Sequence, residues 1–87
     1  MKPNEEQLRE EIASNHPFTL VTASGARVKV QSHDHIILPP LVDENGAGLD
    51  DHDRSDFFQV WSNGRRYRWV AFASINVIEA QSPTAAA

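Results

Sequence analysis

Apolar and polar residues alternate over much of this chain, with the period of two that is typical of β-strands. The longest such stretch, residues 57–72, reads FFQVWSNGRRYRWVAF. Asn63-Gly64 divides it into two runs rich in aromatic and apolar residues. This position predicts a two-residue type I′ turn, because that turn needs positive φ at both central residues. We therefore predict a central β-hairpin over residues 57–72.

The two-residue turn predicts which side chains of the central hairpin face the core. It places Phe58 opposite Trp69 and Val60 opposite Tyr67. These four residues lie on one face, since side chains alternate along each strand. Each such cross-strand pair contributes about 0.2–1 kcal/mol beyond simple burial, so this face is the predicted core side.

The opposite face of the central hairpin is the predicted binding surface. In this register Trp61 faces Arg66 and lies diagonal to Arg68. Tryptophan and arginine are enriched at binding hot spots, so the face is a candidate recognition surface. In the alternative interpretation, the arginine stems only cover the indole ring. The candidate binding residues are Trp61, Arg66, Arg68, Gln59 and Arg65.

The N-terminal segment predicts a short helix over residues 4–15. Asn4 is a candidate N-cap, with Gln7 three residues later in the capping-box position. Leu8 and Ile12 are four residues apart and share one face. Two large apolar residues cannot stabilise an isolated helix of this length, so we expect it to pack against the sheet or a neighbouring subunit.

Residues 18–30 predict another hairpin, with a three-residue loop at Ala23-Ser24-Gly25. In this loop Gly25 takes the left-handed conformation. A two-residue turn at Ser24-Gly25 would set Leu20 against Lys29, so the hydrophobic pattern favours the longer loop. The favoured register pairs apolar residues across the strands, Phe18 with Val30 and Leu20 with Val28.

The remaining segments complete a single predicted domain over residues 1–80. A short apolar strand at 35–38 precedes an acidic, Gly- and Pro-rich segment at 39–56, which we expect to be a long exposed loop. A last strand is predicted at 75–79, and a disordered tail at 81–87. The predicted fold class is mainly β: an N-terminal helix followed by a five-stranded antiparallel barrel of the SH3-like or Sm-like kind.

Composition and charge exclude several classes of protein. The 87 residues include no cysteine, which excludes disulfides, thiolate chemistry and Cys-based zinc sites. The formal net charge is −4, and residues 39–56 carry one basic residue against six acidic ones. This balance argues against strong non-specific nucleic-acid binding by the whole chain, but not against a local basic site. The acidic, polar start and the lack of a long apolar run predict a cytoplasmic protein that does not bind membranes.

Histidines and acidic residues raise a metal hypothesis that the sequence does not favour. His33 and His35 would point to the same side of a strand, and His52 lies within an acidic run at 50–53. The alternative is that both segments are solvated, since a loose loop rarely supplies the hydrogen bonds that orient metal ligands. No nucleophile elbow or phosphate-binding glycine loop is visible. We predict no metal, no cofactor and no enzymatic activity.

Two stretches carry a resemblance to known proteins: HPFTLVTASGARVKVQSHDHIILPP and, after the acidic segment, FFQVWSNGRRYRWVAFASINVIEA. They resemble small bacterial proteins with a PF-x-(I/L)-x-x-x-x-G-x-x-x-x-V-x-x-x-(D/E) frame. More distantly, the order of elements is similar to the Sm-like fold of the bacterial RNA chaperone, which implies a ring-forming RNA binder. That family's Lys-His pair is replaced here by Trp69-Val70-Ala71-Phe72, so no RNA-contacting residue is carried over.

The sequence predicts two functions of different classes. The favoured one is a non-enzymatic interaction or assembly module, a homo-oligomer or a binder of another protein, acting through a strand edge or the face of Trp61, Arg66 and Arg68. The alternative is an Sm-like homo-oligomer that binds single-stranded RNA, with bases stacked on Trp61 and arginines on the phosphates. A steep loss of RNA affinity with salt would separate the second from the first.

Overall fold

The computed structural model of the protein describes residues 1–80. Apart from short 3-10 turns, its elements are α1 (Glu5–Ser14), β1 (Phe18–Thr22), β2 (Arg27–Val30), β3 (Ile36–Ile37), β4 (Phe57–Trp61), β5 (Tyr67–Ala71) and β6 (Ile75–Ala80). The predicted class, mainly β with an N-terminal helix, is confirmed. The predicted count of five strands is wrong, since residues 1–80 form six; the strand predicted at 35–38 is present but covers only Ile36–Ile37. The predicted disordered tail at 81–87 lies outside the described residues.

The strands form two antiparallel sheets of three strands each, in the orders β2-β1-β6 and β3-β4-β5. Both sheets and α1 contribute to one core, whose buried apolar residues are Leu8, Phe18, Leu20, Val28, Val30, Ile36, Phe58, Val60, Val70, Phe72 and Ile75. Within residues 1–80 no backbone ladder joins the two sheets, so a closed barrel is not observed. The chain leaves β2 at Val30 and passes through a 3-10 turn, His33–His35, before β3 begins.

The first hairpin, β1–β2, has the predicted register. Its apolar pairs are Phe18 with Val30 and Leu20 with Val28, and all four side chains are buried. Gly25 has a φ of 86°, as the three-residue loop requires. The Thr22 backbone N–H donates to the carbonyl oxygen of Ala26 at 2.9 Å and closes the loop. Burial of one apolar set on each strand therefore fixes this register.

The central hairpin, β4–β5, is shifted by one residue from the predicted register. The Ser62 N–H donates to the carbonyl oxygen of Arg66 at 2.9 Å, so the loop contains three residues, Asn63-Gly64-Arg65. The Asn63 side-chain oxygen accepts hydrogen bonds from the N–H groups of Arg65 at 2.8 Å and Arg66 at 3.0 Å. Gly64 does not take positive φ. The predicted type I′ turn is wrong because the Asn63 side chain supplies the hydrogen bonds of the turn.

This shift exchanges the two faces of β5. Phe58 faces Val70, not Trp69, and Trp61 faces Tyr67, not Arg66. Val70 is buried against the core, whereas Tyr67 and Trp69 are exposed. The prediction that Tyr67 and Trp69 are core residues is therefore wrong. The buried ring of Phe58 packs instead on Phe72, with ring centroids 4.8 Å apart.

Helix α1 begins next to Asn4, but the Asn4 side chain does not cap it as predicted. Its amide group donates instead to the carbonyl oxygens of Phe72 at 3.0 Å and Ile75 at 3.3 Å. This contact joins the start of the helix to the 3-10 turn between β5 and β6. The predicted apolar face is confirmed, since Leu8 is fully buried and Ile12 packs against the core. Among residues 1–80 no helix has the length and apolar character needed to span a membrane.

A buried ion pair holds the acidic segment 39–56 against α1. The guanidinium group of Arg54 binds both carboxylate oxygens of Glu5, at 2.6 and 2.5 Å, and both side chains are almost completely buried. Arg54 also donates to the carbonyl oxygens of Pro40 at 2.9 Å and Pro39 at 3.0 Å. The segment is therefore anchored at both ends, although most of its other side chains are exposed as predicted.

The pKa of Glu5 reflects this environment. Burial of the carboxylate acts to raise its pKa, but hydrogen bonds from Arg54, from the Lys2 backbone N–H and from Arg9 outweigh burial. Together they lower the pKa of Glu5 from 4.5 to about 2. Glu5 is therefore ionised at neutral pH, and its charge is compensated inside the protein.

Candidate interaction face

The outer face of the β3-β4-β5 sheet is made of uncharged, mostly large apolar side chains. Strand alternation and the observed register place together Ile37, Phe57, Gln59, Trp61, Tyr67, Trp69 and Ala71. We call this set the aromatic face. The outer face of the other sheet is different, since its residues are Thr19, Val21, Arg27, Lys29, Val77 and Glu79. Only the aromatic face is both apolar and free of charge.

The aromatic rings of this face contact one another in series. The ring centroids of Trp61 and Tyr67 lie 4.7 Å apart with an interplanar angle of 36°. Those of Tyr67 and Trp69 lie 6.0 Å apart, edge to face at 83°. Both distances fall in the range at which aromatic pairs attract, which holds the side chains in defined positions. The face is therefore ordered before anything binds to it.

Several side chains of the aromatic face are about half exposed to solvent. The exposed fractions are 53% for Ile37, 49% for Phe57, 48% for Tyr67 and 56% for Trp69. A contiguous exposed apolar surface of this kind is unusual on a protein that stays alone, because apolar area in water costs free energy. The aromatic face is therefore the candidate interaction surface of the molecule.

Trp61 is the most buried ring of the aromatic face. It lines a shallow hollow beside Ile37 and the hairpin loop at Asn63-Gly64. Its indole nitrogen is buried, and no acceptor for it lies within hydrogen-bond distance among residues 1–80. A buried donor without an acceptor costs about 1–3 kcal/mol. Trp61 is therefore placed on this face at a cost in stability.

The structure separates the predicted binding residues into two groups. Gln59 and Trp61 lie on the aromatic face, and Arg65 lies in the hairpin loop at its end. Arg66 lies across from Ser62 and Arg68 faces Val60, so both belong to the other side of the sheet. The prediction that Trp61 faces Arg66 and lies diagonal to Arg68 is therefore wrong. Tyr67 and Trp69 take their places, which a register shifted by one residue would have indicated.

The histidines of the metal hypothesis do not form a common cluster among residues 1–80. The Nδ1 atom of His33 is 2.7 Å from the side-chain oxygen of Asn15, and that of His35 is 2.9 Å from the Ser32 hydroxyl. His52 instead shares an exposed cluster with two acidic residues, Asp50 and Asp53, whose candidate ligand atoms lie within 4.8 Å of one another. Exposed acidic clusters of this kind are common without a metal, so we assign no metal site.

No protein-family model, curated protein or solved structure matches this chain. The resemblances to the bacterial frame and to the Sm-like fold therefore stay predictions. The function of the aromatic face is inferred from its own chemistry and geometry.

Proposed function

We propose that this protein is a non-enzymatic assembly module that binds protein through its aromatic face, and that the bound protein is a second copy of the same chain. The observation that carries the proposal is the ordered, uncharged series of rings Trp61, Tyr67 and Trp69, of which the last two are half exposed. Tryptophan and tyrosine are enriched among the residues that dominate binding energy at protein interfaces. A chain of this size also has a modest core, to which association adds stability.

The distribution of charge supports a second copy as the partner. The chain has a net charge of −4, but the aromatic face carries no charge, so two such faces can meet without burying unpaired ions. Arg65 and Arg66 lie at one end of the face, in and after the hairpin loop. Asp56 lies at the other end, before Phe57, where it pairs with Lys2 at 2.8 Å. A twofold axis that runs across the strands, between the two faces, would keep the arginines of one copy away from those of the other.

The size of the face sets the expected affinity. A fully buried aromatic side chain covers about 150–250 Å², so the three half-exposed rings together offer roughly 200–400 Å². A standard interface buries about 800 Å² on each partner, and smaller ones are weak or transient. We therefore expect a dimer with a dissociation constant of roughly micromolar order.

Sedimentation equilibrium of the full chain, from about 1 µM to about 500 µM, tests the proposal. We expect a monomer–dimer equilibrium that Trp69→Ser weakens about tenfold or more, because it removes a central ring. Val77→Ser is the matched control, since Val77 is exposed on the outer face of the other sheet. Both tryptophans of the chain lie on the aromatic face, so their fluorescence should shift to shorter wavelength as the dimer forms. A folded monomer at every concentration would contradict the proposal.

An RNA-binding function is the second candidate, because one arrangement favours it. The ring series of Trp61, Tyr67 and Trp69, next to Arg65 and Arg66, is suited to stacked bases with arginines on phosphates. In this candidate the fold is related to the SH3-like or Sm-like barrels that the sequence predicts. Quenching of tryptophan fluorescence by an oligouridine tests it. Affinity should fall steeply with salt, and Trp69→Ala should cost about 1–3 kcal/mol of binding free energy.

A further inference from the structure

A second candidate site lies beside the central hairpin, and it shares only Tyr67 with the aromatic face. A groove opens between β2, β4 and β5, the first and last of which are edge strands of the two sheets. Its lining includes Tyr67, the hydroxyl residue Ser62 and two almost completely buried residues, Val28 and Val60. Three basic residues also line it: Arg27, Lys29 and Arg68. We call it the edge groove; among residues 1–80, no acidic side chain lines it.

The basic residues of the edge groove differ in how they are compensated. The guanidinium group of Arg27 forms a salt bridge with Glu79 at 2.5 Å. Among residues 1–80, no carboxylate lies within salt-bridge distance of Lys29 or Arg68, although acidic residues outnumber basic ones in the chain. Two uncompensated cations on opposite sides of one groove favour an anionic ligand.

The backbone beside the groove favours an extended peptide as that ligand. Within residues 1–80, β2 pairs only with β1, and β5 pairs only with β4. Each strand therefore leaves one row of backbone N–H and C=O groups without a ladder partner, which is the arrangement that binds an added strand. A nucleic-acid backbone has no amide groups to complete such a ladder.

We propose that the edge groove binds an extended acidic peptide, which adds as a strand to the free edge of β2. Side chains of an added strand alternate between the two sides of the sheet. Acidic residues at every second position would lie beside Arg27 and Lys29, and the apolar residues between them would lie beside Val28. Arg68, on the opposite wall, adds a third positive charge to the groove. The ligand class is therefore a segment of alternating acidic and aliphatic residues.

Fluorescence anisotropy with the full chain tests this site. The probe is a labelled peptide of about seven residues with alternating Glu and Val, compared with the same peptide carrying Gln for Glu. We expect only the acidic peptide to bind, and Arg68→Gln and Lys29→Gln each to weaken it about fivefold or more. Gln7→Glu is the matched control, since it changes the net charge by the same amount at an exposed position of α1 outside the groove and should change affinity less than about twofold.

Amide hydrogen exchange distinguishes strand addition from binding by charge attraction alone. Peptide binding by strand addition should protect backbone N–H groups along the free edge of β2, with unchanged exchange at the hairpin loop around Asn63. Equal binding of both peptides would contradict the charge argument. Tighter binding of an oligouridine of equal charge, weakened by Arg68→Gln, would reassign the groove to phosphate. The absence of binding at low salt would remove the site altogether, whatever the oligomeric state of the chain.

Discussion

The two hairpins of this protein close in the same way at the ends of their strands but differ inside their loops. In each, a hydroxyl residue before the loop donates its backbone N–H across it at 2.9 Å, Thr22 to Ala26 in one and Ser62 to Arg66 in the other. In the first hairpin the loop reverses through Gly25, whose φ is 86°. In the central hairpin the Asn63 side chain provides the reversing hydrogen bonds, and no residue of the loop takes positive φ.

The strands of the two hairpins differ in how many apolar faces they offer. In β1–β2 the outward positions of β2 are Arg27 and Lys29, so only one register buries apolar residues on both strands. In β4–β5 both alternating sets contain large apolar or aromatic residues, although one set includes Gln59 and the other Arg68. Burial alone leaves that register open, and one large set has to stay outside. The aromatic face is the consequence of this surplus of large apolar residues.

Acid should produce the largest effect, by weakening the segment that joins the two hairpins. The pKa of Glu5 is about 2 in the folded protein and 4.5 when the chain is unfolded. The stabilisation by the ionised Glu5 carboxylate is therefore fully present above pH 4.5 and is lost as the pH falls towards 2. Relative to Glu5→Gln, the natural protein should lose roughly 3 kcal/mol of unfolding free energy over that window. Urea unfolding at several pH values measures it.

The matched control for this loss is Glu6→Gln, in the same helical turn but exposed to solvent. Its unfolding free energy should follow the natural protein through the acid range. If the hairpins are coupled through Arg54, amide exchange should report loosening of both at low pH. If the natural protein and Glu5→Gln lose the same unfolding free energy in acid, the buried ion pair does not couple the two hairpins.

Substitutions on β5 should then show which alternating set is inside. Val70→Ala should cost about 1.5–3 kcal/mol of unfolding free energy, because it removes methyl groups from the core. Trp69→Ala should cost less than about 1 kcal/mol, although it removes many more atoms, since more than half of the side chain is exposed. Denaturant unfolding at low concentration, where the chain is monomeric, measures both. A larger loss of stability from Trp69→Ala than from Val70→Ala would support the register of the predicted two-residue turn instead.

The sequence predicts the first hairpin residue by residue, because its burial pattern admits one solution. In the central hairpin the Asn63-Gly64 pair is misleading, since asparagine can also close a turn with its side chain. Because of that error of one residue, the prediction placed Tyr67 and Trp69 in the core and Arg68 on the binding surface. Gln59 and Trp61 share a face as predicted, because they lie on β4, whose inward positions are the same in both registers.

The burial of Arg54 has no local signal in the sequence. It follows an acidic run in a segment rich in glycine and proline, a context typical of a solvated loop. Its partner Glu5 is 49 positions away and begins a helix, where an acidic residue has an ordinary role towards the helix dipole. A pair of this kind follows from the tertiary arrangement, which brings the start of α1 against the end of the segment. Local patterns could not predict it.

The two loop glycines should differ when each is changed to alanine. A Cβ atom at Gly25 or Gly64 would lie in open space, so only the backbone conformation distinguishes them. Gly25→Ala should cost about 1–2 kcal/mol, because a residue with a side chain is strained at positive φ. Gly64→Ala should be nearly neutral. Thermal unfolding of the two variants measures the difference, and equal costs would indicate that Gly64 also reverses the chain.

The smallest expected change in stability concerns Trp61, which precedes Ser62 in the central hairpin as Val21 precedes Thr22 in the first. Val21 at the first position has no polar side-chain atom, whereas Trp61 buries an indole N–H that has no acceptor among residues 1–80. Trp61→Phe removes that donor and keeps an aromatic ring against Tyr67. The lost ring area and the relieved donor oppose each other, so unfolding free energy should change by less than about 1 kcal/mol. Denaturant unfolding checks this, and a loss above about 2 kcal/mol would mean that the indole nitrogen donates a hydrogen bond after all.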